Sequence, residues 1–134
     1  MGDTLKNTTN EDIFNSFHSH PLTKYPIPNG LEEQWLLDAV ADYSLSIAPL
    51  FYDTSAKEFD SHLPQAVIAT LGQMMYCSYL VRTLDRLEQL NGFYGKDIHL
   101  TGSDESKRTT AENLERQLEI TRDWIHKQKT VSYG

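Results

Sequence analysis

At 134 residues the chain has the length of one domain, and its hydrophobic (39%) and charged (23%) fractions are ordinary for a globular protein. The formal charge of −7 is uneven: residues 1–67 carry Lys6, Lys24 and Lys57 against ten Asp/Glu (3 − 10 = −7), and residues 68–134 carry nine of each sign. No basic stripe is present, which argues against gripping nucleic acid through its phosphates, and the acidic half either repels DNA or simply keeps the protein soluble.

Residues 1–10 are polar and read as a loose terminus. Glu11 to Phe17 has one short turn of helix through Ile13, Phe14 and Phe17. Pro21, Pro26 and Pro28 then forbid a helix interior. Residues 1–30 are therefore expected to form an extended N-terminal arm. Its Leu22, Tyr25 and Ile27 are apolar and should lie on something, which makes them candidate contacts. No apolar leader segment opens the chain, so no signal peptide is expected.

A helix is expected over 31–48. Asn29-Gly30 precedes it, Glu32 and Glu33 suit the positive end of its dipole, and Pro49 ends it. Leu36, Val40, Tyr43, Ile47 and Leu50 share one face, with Trp35, Ala39 and Asp42 beside it. Residues 51–62 read as a connector with scattered Phe51, Tyr52 and Phe59.

A second helix is expected over 63–90, opened by Ser61 and Pro64 and stopped by Asn91-Gly92. From Val67 to Val81 it is apolar nearly all round, which calls for burial all round. Two further helices of so small a chain could hardly cover it. Met74, Met75 and Tyr79 are thus candidate subunit-interface residues. Residues 61–81 lack Asp, Glu, Lys and Arg. However, His62, Pro64, Gln65, Thr70, Gln73 and Ser78 dilute the run too far for a membrane span.

The segment 91–102 is long and apolar for a helix–helix connection. Phe93 and Tyr94 either clasp the hairpin or anchor a neighbouring subunit. Ile98 and Leu100 alternate with Asp97, His99 and Thr101, as in a short strand offered to another edge. The last helix is expected over 104–129, with a seam of Leu114, Leu118, Thr121 and Ile125, and 131–134 reads as a tail. The expected fold is all-α: an antiparallel bundle of about three main helices with the arm and a long, partly extended loop between the last two.

No catalytic signature accompanies these elements. Gly92-Phe-Tyr-Gly95 lacks nucleotide-loop spacing, and neither HExxH nor CxxC occurs. His18 and His20 lack the further ligands and rigid frame of a zinc site. Cys77, the single cysteine, reads as a small buried hydrophobe in a reducing compartment. No enzyme activity, cofactor or metal is expected.

The run Leu90-Asn-Gly-Phe-Tyr-Gly-Lys-Asp-Ile98, followed by Lys107-Arg-Thr at the opening of the last helix, resembles small structural proteins of tailed bacteriophages of Gram-positive hosts. The likeness covers about residues 31–130. It implies a head-to-tail connector, a neck or head-completion adaptor. Such proteins are mostly helical and form a homo-oligomeric ring, commonly twelve-fold, beneath the portal. The implied partners are the portal, a further neck or tail protein, and double-stranded DNA that passes through an often acidic channel without specific binding. The implied location is the virion neck, with assembly in the host cytoplasm. The family implies no catalytic residues, and the hydropathy argument above leaves no membrane partner expected. A cytosolic helical protein-binding regulator is the other reading of the same composition.

Overall fold

Thr9 opens the first helix, α1 (Asn10–His18), by a reciprocal cap: the Asp12 carboxylate accepts the Thr9 N–H at 2.9 Å, while the Asp12 N–H donates to the Thr9 carbonyl. The computed structural model describes residues 6–23, 26–94 and 101–133, with side chains except at 88–94, 101–105 and 130–133. Within it α2 spans Leu31–Ser46, α3 Gln65–Tyr94 and α4 Thr101–Tyr133. A two-residue hairpin, β1 (Tyr52–Asp53) and β2 (Glu58–Phe59), lies between α2 and α3. The all-α expectation holds, with this small sheet, extended by an isolated bridge between Thr9 and Glu58, as the β structure among the described residues.

Local chemistry explains the joints. Gly30 takes φ +85, a left-handed turn that glycine enters without penalty, and it starts α2. In the hairpin, the Asp53 carboxylate accepts the N–H groups of Ser55 and Ala56 and closes the turn. Thr8 ties the chain start to this hairpin. Its N–H donates to Ser61 O, its carbonyl accepts from Phe59 N at 2.8 Å, and its hydroxyl accepts from Leu63 N at 2.8 Å.

α3 is the central element, with every residue from Leu71 to Cys77 buried. α4 runs antiparallel beside it: Thr70 meets Gln128, Gln73 meets Gln117, and Tyr76 meets Asn113. α2 covers a second side through Trp35, Leu36, Ala39 and Tyr43. The third side is covered by α1, whose Ile13 and Phe17 are completely buried.

The placement of α1 corrects two expectations. Residues 1–30 are not an arm throughout, because Thr8, Ile13 and Phe17 are buried in the core and the extended part begins only after His20. The all-round burial of α3 is also supplied within the chain. Met74, Met75 and Tyr79 are 8%, 0% and 6% exposed and offer no surface to a second subunit. The additional cover is α1, a nine-residue helix whose short apolar pattern does not show by itself what it packs against.

The α3–α4 connection is also shorter than expected. α3 runs through Asn91-Gly92 to Tyr94 and α4 begins at Thr101, so six residues join them. Asn and Gly each cost only about 1 kcal/mol or less in a helix relative to Ala, which pairing with α4 can offset. At the other end α4 continues to Tyr133, through the residues expected as a tail.

Candidate functional site

The candidate contact residues fall into three groups. Ile98, Leu100 and Tyr25 lie outside the described residues. Phe93 and Tyr94 lie on the last turn of α3, and their side chains, with the clasp-or-anchor expectation placed on them, lie outside the described set. Leu22 and Ile27 are half-buried against the core. Their segment is pinned to α3 because the Tyr79 hydroxyl accepts the Thr23 N–H at 2.7 Å and donates to Thr23 Oγ1 at 3.0 Å.

The polar side chains inside the bundle are structural. His20 stacks on Tyr76 with ring centres 4.5 Å apart. Its Nδ1 lies 3.0 Å from Phe17 O, and its Nε2 lies 3.1 Å from Gln73 Oε1. Gln73 donates onward to Gln117, Gln117 to Asn113, and Asn113 to the Tyr76 hydroxyl. Gln128 accepts from the Tyr43 hydroxyl at 2.8 Å and donates to Thr70 at 2.6 Å, joining α2, α3 and α4. No buried side-chain polar atom is left unpaired among the described residues, the condition under which such a network fixes register at little cost.

His18 and His20 do not converge, since His18 Nε2 faces Glu32 at 2.8 Å across α1 and α2. No metal-holding cluster occurs among the described residues. Cys77 sits 3.5 Å from Thr121 Oγ1, and burial pushes its thiol up against a smaller opposing effect of that contact, away from nucleophilic use. No described helix is long and apolar enough to cross a membrane.

Glu33 is a half-buried joint between α2, α1 and the hairpin. It accepts the Tyr52 hydroxyl at 2.8 Å and Asn10 Nδ2 at 3.5 Å. Burial first, then this hydrogen bond and the Glu33 and Asp53 charges, push the Tyr52 phenol far above its ordinary 10.0. Burial also raises Tyr43. Above pH 10 the unfolded chain loses these protons while the folded chain keeps them, so stability falls as pH rises. The slope is at most about 1.4 kcal/mol per pH unit for each proton, less for a partly solvated side chain. Tyr52→Phe is expected to flatten that alkaline loss, leaving the share of Tyr43, and to cost about 1 kcal/mol at neutral pH. Urea unfolding of both chains between about pH 8 and 11 checks the sign.

The surface carries two features. Past Leu80, no α3 residue through Leu87 is fully buried, and Thr83, Leu84 and Leu87 are half-covered. From Leu80 to Tyr94 the helix advances about 21 Å. The second feature is the outer side of α2. Leu37, Val40, Leu50 and Phe51 line a shallow cleft of about 480 Å³ beside the hairpin, with Leu45 87% and Phe51 65% exposed. Sequence reasoning passed over this face, although Leu37, Ala41 and Leu45 recur at spacings of four and mark a second apolar stripe. Leu118, expected in the α4 seam, is 40% exposed.

No protein-family profile, curated protein or solved structure matches the chain.

Proposed function

We propose that the chain is a virion structural subunit, a head-to-tail connector that forms a homo-oligomeric ring between portal and tail and lines the DNA channel. The observation that carries this reading is the outer half of the α3–α4 hairpin. Here α3 continues about 21 Å past Leu80, its last fully buried residue among the described side chains. The stretch that resembles neck adaptors falls on the same end. A projecting hairpin suits heterologous contacts between neighbours, which close into a ring when the rotation permits. The charge of −7 on residues 1–67 suits a conduit that must not hold DNA.

Portal particles encoded in the same genome provide the test. The chain is expected to co-sediment with them in fixed stoichiometry and to show ring density in electron micrographs. A chain that stays monomeric and ignores portals at high concentration overturns the reading. One observation favours the alternative, a protein-binding regulator with no virion role: the burial of Met74, Met75 and Tyr79 by the chain's own helices leaves its core complete without neighbours.

A further inference from the structure

We propose that the outer face of α2 and the adjoining β hairpin form a docking groove for a basic amphipathic segment of another protein. The inference goes beyond the connector reading and does not depend on it.

The floor of the groove is apolar. Leu37 and Val40 from α2 meet Leu50, Phe51 and Phe59 from the chain between α2 and α3. Phe51 exposes 65% of its surface at the rim, and Leu45 exposes 87% one turn beyond. Isolated apolar residues are common on surfaces, but here Phe51 borders a concave apolar floor, and Leu45 is exposed on the same helix as Leu37 and Val40. Phe51 is held in place by its backbone, since its carbonyl accepts the Asp60 N–H at 3.1 Å. Its ring is thus presented at the rim by a fixed main chain.

The walls are acidic. Asp53, Glu58 and Asp60 line the cleft, and no basic side chain does. Lys57 and Lys6 are near these residues in the fold but do not line it. Asp53 spends one oxygen on the turn and Glu58 accepts only a 3.5 Å bond from Asn7; neither is in a described ion pair. An occupant that fits must place an apolar anchor beside Phe51 and Leu45 and set Lys or Arg against the three carboxylates.

A second copy of the chain fits poorly. A two-fold contact would set Asp53, Glu58 and Asp60 against themselves. The remaining large exposed apolar residues are Val81 and Leu118 among those described. Leu118 is flanked by Glu115 and Glu119. The cleft beside Val81 has Arg82 and Arg86 balanced by Asp38 and Asp85. Neither presents an apolar anchor with surplus positive charge.

The test is a titration of the full isotope-labelled chain with an amphipathic Leu/Lys peptide about two heptads long, and with its Leu/Glu counterpart. The Leu/Lys peptide is expected to shift resonances of residues 37–45 and 50–60, to bind more weakly as salt rises, and to outbind the Leu/Glu peptide. Phe51→Ser is expected to weaken binding about tenfold, as does Glu58→Gln combined with Asp60→Asn. Phe51 and Asp60 are exposed and Glu58 is half-buried at the groove wall, so none of the three changes touches the core. Equal binding of both peptides, shifts centred on Val81 or Leu118, or no shifts at all overturns the proposal. So does sedimentation in which the chain alone self-associates and Phe51→Ser makes it monomeric, because the groove then belongs to a second copy. Failure with portals, by contrast, leaves this result untouched.

Discussion

Phe17→Ala is expected to lower the unfolding free energy by about 3–5 kcal/mol, the cost of emptying a large aromatic site in a packed core. Phe17 is completely buried, and its ring stands edge-on to Trp35 of α2 at 5.8 Å and to Tyr79 of α3 at 6.0 Å. Each edge-to-face pair adds to the area term, by about 0.5–1.5 kcal/mol in comparable systems. Small domains have about 5–15 kcal/mol in total, so the variant sits near the edge of folding. Urea unfolding measures the loss, with Phe51→Ala as the surface control, expected within about 0.5 kcal/mol of the parent. A loss under about 1 kcal/mol for Phe17→Ala would mean that α1 lies loosely on the bundle, as an arm would. α3 would then again lack a cover on one side, and the case for a partner subunit on Met74 and Tyr79 would return.

Hydrophobic patterning tells how much of a helix must be buried, not what buries it. α2 was legible as a helix with a core face, and Leu36 and Tyr43 are buried as expected. The face is turned slightly from the expected one. Trp35 and Ala39 are inside, while Val40 and Ile47 are half-buried, because α2 is apolar on two sides and periodicity alone cannot say which side meets the core. For α3 the pattern correctly demanded burial all round, but composition does not name the covering group. The missing cover is α1, whose local signals are weak and whose place is set by tertiary fit. The network from His20 through Gln73 and Gln117 to Tyr76 was out of reach for the same reason: its members are spread over separate segments and meet only once register is fixed. The stripe of Leu37, Ala41 and Leu45 recurs at spacings of four like the core face, and periodicity alone does not distinguish an exposed apolar stripe from a buried one.

Gly72→Ala separates helix propensity from tertiary fit at the point where α1 crosses α3. On propensity alone the change should stabilise α3 by about 1 kcal/mol, since glycine is the poorer helix former. The crossing reverses the sign. A Cβ at residue 72 would lie 2.5 Å from Ser16 Oγ, 2.8 Å from Ser16 Cβ and 3.1 Å from the Phe17 backbone nitrogen. The hydroxyl can rotate aside, but the other two atoms move only with α1. Lifting α1 withdraws Ile13 and Phe17 from the core, so overpacking of about 1–3 kcal/mol outweighs the propensity gain. A net loss of about 1–2 kcal/mol is expected, and a larger one for Gly72→Val, whose branched side chain is also stiff in a helix. Ser16→Gly alone should cost about 1 kcal/mol. Combined with Gly72→Ala, it removes two of the three close atoms, so the double variant should be less destabilised than the sum of the singles. Thermal or urea unfolding of the four chains closes the cycle. If Gly72→Ala raises stability and the two changes simply add, the close approach of Ser16 to Gly72 does not exist in solution. α1 would then have to cover α3 by some other crossing, and the intramolecular account of the burial of α3 would lose its geometric basis.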